Sequence, residues 1–293
     1  MLAVREPPFA LSVDVEEHFQ VQAFADRIPR GDWSSFPSRV EGNVERLLDL
    51  FDETSARGTF FVLGWIAHRH PELVRRIVAR GHEVASHGMT HRMLTELTPS
   101  EFREEALSSR LLLEDLSGSP VIGFRAPSYS LNRSTLWALE VLRDTGYAYD
   151  SSAYPIRYRR YGFPEGPVFP ARIPAGEGDI AEFPLPTVPL GPIRIPVLAG
   201  AYLRLLPTWA SLAAARYHRK LDLPLALNVH PWEIDPDQPT VGYSRLAKWT
   251  HYMRLDRTES ILRRILRGAR FETLRDRLAE LGILDRPSGN GTP

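Results

Sequence analysis

The chain has no cysteine among its 293 residues. Disulfides, thiolate metal sites and cysteine nucleophiles are therefore excluded, and any metal ion has to be held by imidazole and carboxylate. The absence also fits a reducing compartment. Net charge is lacking too, because Lys+Arg and Asp+Glu both number 36. With no bulk field to hold a polyanion, nucleic acid is not expected as a partner. Nor is there a long apolar run. The greasiest stretch, 188–206, is broken by Pro189, Pro192 and Pro196 and carries Arg194 and Arg204, so no transmembrane segment is expected. Residues 1–17 show no basic segment followed by a sustained apolar one, so no signal peptide is expected. The expected location is cytoplasmic, at most peripheral to the inner membrane.

The length suits one large α/β domain or two small ones. A pass along the chain favours one domain over 1–284 and a frayed tail over 285–293. Segments 8–16, 59–64, 82–86, 120–124, 147–149, 180–184 and 223–229 read as strands. Helical patterns lie between most of them, with Ser38 and Glu41 as one capping box and Thr98 and Glu101 as another. This alternation signals a mostly parallel sheet or barrel. Many of the 25 prolines fall in 155–207, which reads as an irregular excursion interleaved with aromatic and aliphatic residues.

Polar residues follow the strands. His87 and His91, in Ser86-His87-Gly88-Met89-Thr90-His91, can turn their rings to one metal ion if the backbone curls through about one helical turn. The plain alternative is a pair of surface histidines. Asp14 and Glu16 share one face of the first strand, and two carboxylates there are tolerated best with a cation between them. Arg125, Asp150 and His230 each stand at the end of a separate strand, where open and barrel α/β folds place their chemistry. Each alone could be an ordinary surface arginine, a turn aspartate or a strand-end histidine.

Together these residues resemble the five motifs of the polysaccharide deacetylase family, carbohydrate esterase family four. The motifs are Asp14 with Glu16, His87 with His91, Arg125-Ala126-Pro127-Ser128, Asp150 with Tyr154 beyond it, and Leu227-Asn228-Val229-His230. The resemblance covers nearly the whole chain and implies a distorted, seven-stranded (β/α) barrel. The usual first motif has adjacent aspartates. The spaced pair in Asp14-Val15-Glu16-Glu17-His18-Phe19-Gln20-Val21, with Phe61-Val62-Leu63-Gly64-Trp65 and His230-Pro231-Trp232-Glu233-Ile234-Asp235, resembles the branch found beside exosortase-linked exopolysaccharide clusters. That spacing leaves open which acid is base and which is ligand.

The resemblance implies a hydrolase that removes N-acetyl, less often O-acetyl, groups from an amino-sugar polymer or oligosaccharide. One divalent metal ion is implied, zinc first, with cobalt, manganese and iron as alternatives. Its expected ligands are Glu16, His87 and His91, because Glu16 is longer and nearer the loops. Asp14, held by Arg125, is then the base. His230 is the acid, oriented by Asp150, and the Ser128 N–H beside Tyr129 is an oxyanion donor. Two other readings stand beside this one: an amidase for a non-sugar C–N bond, and a silent carbohydrate-binding module, against which five intact motifs argue. A zinc protease is disfavoured, since Gly88 stands where H-E-x-x-H needs glutamate.

Overall fold

The structure, a computed structural model, describes residues 8–158, 162–221, 223–241 and 245–285; most of the expected tail, 286–293, lies outside them. Strand β1 (Phe9–Val15) is buried at every position, as a strand covered on both faces must be. Along the chain follow β2 (Thr59–Val62), β3 (Glu83–Ser86), β4 (Gly123–Phe124), β5 (Tyr149–Asp150), β6 (Ala171–Ala175), β7 (Gly178–Glu182), β8 (Thr187–Leu190), β9 (Ile193–Pro196), β10 (Ala226–Val229) and β11 (Phe271–Glu272). The main sheet runs β10-β1-β2-β3-β4-β5-β7-β6, with β11 also paired to β1. Every ladder from β10 to β7 is parallel, and β6 alone is antiparallel.

The helices are α1 (Val40–Thr54), α2 (Gly64–Arg69), α3 (Pro71–Ala79), α4 (Pro99–Ser117), α5 (Trp137–Asp144), α6 (Ala201–Leu205), α7 (Thr208–Lys220), α8 (Arg245–Tyr252), α9 (Leu255–Leu266) and α10 (Leu274–Glu280). They make the crossovers that such a sheet requires between β1 and β2, β2 and β3, β3 and β4, β4 and β5, and β7 and β10, whereas β5 is connected to β7 through β6. The sheet is strongly curled. Arg125, just past β4, bonds to Ser12 on β1 and Asn228 on β10; at about 4.8 Å per strand these would lie roughly 14–19 Å away in a flat sheet. The curl of seven parallel strands is that of an incompletely closed (β/α) barrel, and among the described residues no ladder joins β7 to β10. No described helix is long and apolar enough to cross a membrane.

Two local expectations are corrected. Ser38 does not cap α1. Its hydroxyl donates to Glu17 (2.5 Å), and Glu17 Oε1 accepts the Arg39 and Val40 N–H groups at 2.9 and 3.2 Å. A buried carboxylate from the β1 end thus satisfies the orphan donors that the Ser38 pattern seemed to answer. The Thr98–Glu101 capping box does form. The 155–207 excursion is irregular only in part: the described residues before Ala171 form no helix or strand, but β6 to β9 and α6 follow, with Pro174 on an edge strand and Pro189, Pro192 and Pro196 on a hairpin, both of which tolerate lost N–H groups.

Candidate active site

The site is assembled at the carboxyl ends of β1, β3, β4 and β10. Asp14 and Glu16 point to one side while Glu17 points away to α1, as strand alternation requires. Past β3 the chain turns sharply. The expected helical curl between the histidines is absent; instead Gly88 and His91 take positive φ, +76° and +57°. Gly64 permits this loop to lie against the start of α2. Gly64 N and Trp65 N donate to the Gly88 and Met89 carbonyls, and a Cβ on Gly64 would come within 2.2 Å of Met89 Sδ.

Two charged side chains hold the loop from outside. Glu105 of α4 accepts the Met89 and Thr90 N–H groups, both at 3.0 Å, and the Thr90 hydroxyl. Arg30 donates to the Thr90 and His91 carbonyls at 2.9 and 3.1 Å. The result places His91 Nε2 2.7 Å from Glu16 Oε2 and His87 Nε2 4.0 Å from it. One ligand atom each from Glu16, His87 and His91 lies within 4.8 Å of the others, and all three residues are buried. His87 Nδ1 is engaged with the Arg125 carbonyl at 2.9 Å, which leaves Nε2 facing the cluster. Burial pushes the His87 ring down to about 4, against the pull of Asp14, so the ring is neutral and able to ligate. Two imidazoles and one carboxylate suit a divalent ion with open positions.

Asp14 is set differently. Its carboxylate receives Arg125 Nη1 at 2.7 Å, the Tyr129 hydroxyl at 2.9 Å and Asn228 Nδ2 at 3.1 Å. Burial alone would raise its pKa, but Arg125, His87 and His230 together hold it well below the usual range. Glu16 is likewise lowered, with burial opposed chiefly by His91, and it accepts Trp232 Nε1 at 3.2 Å. Arg125 is itself fully buried, bridging Ser12, Asn228, Ser151 and Asp14.

His230 faces both acids, with Nε2 3.5 Å from Asp14 Oδ2 and 3.8 Å from Glu16 Oε1. The partner of its other nitrogen corrects the expectation. Nδ1 meets Glu233 Oε2 at 3.1 Å, and Glu233 Oε1 accepts Arg204 Nε at 2.9 Å. Asp150 is instead bonded to the Ser152 hydroxyl and N–H at 2.6 and 3.2 Å. The reason is register: Asp150 stands opposite Glu182 on β7, so its side chain shares a face with that carboxyl. Burial raises both, Glu182 also through Asp150, as expected where two buried carboxyls share a proton. Burial disfavours the His230 cation, but Glu233, Glu16 and Asp14 outweigh it and lift the ring to about 9. Arg204 and His230 in turn hold Glu233 down at about 2 against burial.

Ser128 and Tyr129 both adopt positive φ and line the same cavity as the acids and histidines. Tyr129 is not an oxyanion donor through its backbone, since its N–H goes to Ala126 O; its hydroxyl serves Asp14. The cavity holds about 660 Å³ and takes one wall from Tyr154, Tyr202, Trp232 and His251. Sequence reasoning overlooked the roles of Ser12, Ser151, Glu105, Arg30, Arg204 and Glu233. A signal existed for Glu233 alone: His230-Pro231-Trp232-Glu233 is a capping pattern with proline at the first helical position.

Comparisons with known proteins bear on the fold and the family. Residues 29–149 match the family model described as polysaccharide deacetylase, and residues 151–279 match a domain of unknown function, DUF3473. A chitooligosaccharide deacetylase of Bradyrhizobium sp. (strain ANU 289) is 44% identical over 63 residues, covering 22% of this chain and 29% of that protein. A peptidoglycan deacetylase of Helicobacter pylori is 32% identical over 112 residues, 38% of this chain and 37% of that protein. The chain thus matches about a third of the length of these curated relatives. A Mycobacterium smegmatis structure described as a polysaccharide deacetylase aligns over 100% of this chain and 97% of that one, with TM-score 0.61 and 21% identity. The Puue allantoinase aligns over 97% and 94%, with TM-score 0.62 and 14% identity. At these identities the two structures speak for the fold alone. Residues 29–149, which carry His87, His91 and Arg125, are thus similar to the polysaccharide deacetylase family.

Proposed function

We propose that this protein is a metal-dependent deacetylase that removes N-acetyl groups from an amino-sugar polymer or oligosaccharide. The observation that carries this reading is the placement of two distinct acids beside one histidine. Glu16 joins His87 and His91 in a buried donor cluster, Asp14 is held by Arg125, Tyr129 and Asn228 with acceptor capacity left on Oδ1, and His230 faces both. The curated relatives are named for chitooligosaccharide and peptidoglycan substrates, which supports an acetylated glucosamine. The DUF3473 match over 151–279 supports the exopolysaccharide-associated branch.

An amide is a poor electrophile with a poor leaving group, so hydrolysis needs an activated water, charge stabilisation on the carbonyl oxygen and a proton for nitrogen. A zinc ion held by Glu16, His87 and His91 would supply Lewis acidity toward the acetyl oxygen and the attacking water. Asp14, ionised and fixed by three donors, accepts the proton of that water. His230 Nε2 donates a proton to the departing nitrogen as the C–N bond breaks, leaving acetate and a free amine. Glu233 on Nδ1 holds the ring in position and stabilises its cation. Tyr202, half-buried at the cavity, offers an aromatic face for a sugar ring.

Acetate release from acetylated glucosamine oligomers tests the proposal. Release should be abolished by a chelator and restored by zinc. Release that survives complete metal removal would overturn the metal-dependent reading, and the absence of release from any acetylated oligomer by the zinc-loaded protein would overturn the deacetylase reading.

A further inference from the structure

Strands β8 and β9 form a two-stranded sheet of their own, outside the main sheet. Their tip, Pro189-Leu190-Gly191-Pro192-Ile193, is exposed at every residue and carries no charge. Leu190 is 58% and Ile193 59% exposed, and they face each other across the turn. A second exposed surface follows directly. Helix α7 buries Ser211, Ala214 and His218 and turns Trp209 (71% exposed), Arg216, Tyr217 and Lys220 outward. Val188 of the hairpin and Leu212 and Ala215 of α7 pack on one core cluster. In a chain with equal numbers of acids and bases, no Asp or Glu occurs between Phe183 and Leu221.

Apolar side chains at a hairpin tip, an exposed tryptophan and tyrosine on the helix that follows, and outward cations in a stretch without acids are the chemistry of an anionic lipid interface. A protein partner fits less well. Pro189 and Pro192 remove N–H groups that an added strand would need. The same loss lowers the cost of bringing backbone into an apolar medium.

We propose that the tip 189–193 and the outward face of α7 dock this protein on an anionic bilayer surface. The tip enters the acyl boundary, Trp209 and Tyr217 lie at headgroup level, and Arg216 and Lys220 meet lipid phosphates. The placement has a consequence for the cavity. Only Val197 and Leu198 separate β9 from Ala199, Gly200, Ala201 and Tyr202, which line it. The docked protein thus holds its cavity wall beside the bilayer. This inference does not depend on the deacetylase reading.

Sedimentation of the full chain with phosphatidylcholine vesicles, with and without phosphatidylglycerol, tests it. Binding should require phosphatidylglycerol and weaken as salt is raised. The double variant Leu190→Ser/Ile193→Ser should lose on the order of tenfold or more in partitioning, since each buried methylene contributes about 0.8 kcal/mol. Arg216→Gln/Lys220→Gln should lose roughly fivefold per charge. Both variants alter exposed side chains, and native circular dichroism confirms that each is folded. Failure of the wild-type chain to bind anionic vesicles at low salt would overturn the proposal, as would unchanged binding by the two variants. A wild-type dimer that Leu190→Ser/Ile193→Ser converts to monomer would assign the face to a second copy and overturn it equally.

Discussion

Asp14 and Glu16 stand two residues apart on one strand and have acquired opposite surroundings. Glu16 has one oxygen beside His91 and His87 and the other on Trp232. Asp14 has three of its lone pairs taken by Arg125, Tyr129 and Asn228, one on Oδ1 and two on Oδ2. Removing a ligand and removing a base leave different signatures. Glu16→Gln is expected to weaken metal affinity, with partial recovery of turnover in excess metal. Asp14→Asn is expected to bind metal almost normally and to stay inactive at any concentration. Metal titration of both variants checks this, and the reverse pattern would exchange the two roles. Glu233 gives the second residue-scale prediction. The His230 ring, lifted to about 9 largely by Glu233, is protonated at neutral pH, and its acid form is lost as pH rises through that value. Glu233→Gln removes the charge, so the ring pKa falls and the alkaline decline of turnover moves to lower pH. The loss should be about 10²–10⁴-fold on an amide and smaller on an activated aryl acetate, whose leaving group needs no proton. Equal losses on both substrates would count against an acid role for His230.

At the scale of elements, the His87–His91 loop depends on a helix that contributes nothing to the donor cluster. Glu105 on α4 collects two N–H groups and a hydroxyl from Met89 and Thr90, holding His91 in a left-handed conformation that a histidine adopts at a cost. Glu105→Gln keeps the size but gives up the charge. Zinc affinity measured by competition with a chromophoric chelator should drop about 10–100-fold, in line with other supports of metal ligands, while the melting temperature changes little. How much of this was legible in the sequence follows from the range of each interaction. The alternation of strands and helices along the chain, the α4 capping box and the strand-end positions of His87, Arg125 and His230 are legible, because alternation and capping are local. Glu17 in place of Ser38 at α1, and Glu233 in place of Asp150 at His230, were not chosen, because both depend on which side chains the curl brings together. Residues 155–207 misled for a different reason. Proline density suggests irregularity, yet Pro174, Pro189, Pro192 and Pro196 sit on an edge strand and a free hairpin, where missing donors do no harm, while the remaining prolines lie outside the helices and strands.

Over the whole molecule, the site belongs to no single part of the chain. Asp14 and Glu16 precede both family-model matches, His87, His91 and Arg125 lie in the first, and His230 and Glu233 lie in the second. A chain ending at residue 150 would retain all three candidate metal ligands but lose β10 and β11, two of the three strands paired to β1. It would also leave Arg125 and Asp14 without Asn228. Such a fragment is expected to show no cooperative thermal transition by circular dichroism and no stoichiometric zinc binding; a fragment that melted cooperatively with zinc bound would contradict this. The same pairing carries a cost in time. Ser12 and Asn228, hydrogen-bonded neighbours in the finished sheet, are 216 residues apart. At about 5–20 residues per second, β1 leaves the ribosome roughly 10–40 s before its neighbour exists. For that interval a seven-residue strand that is buried throughout in the native state has an open edge. Newly made chains should therefore lean on chaperones during synthesis, and slowed translation between β1 and β10 should lower the yield of active protein even when the sequence is unchanged.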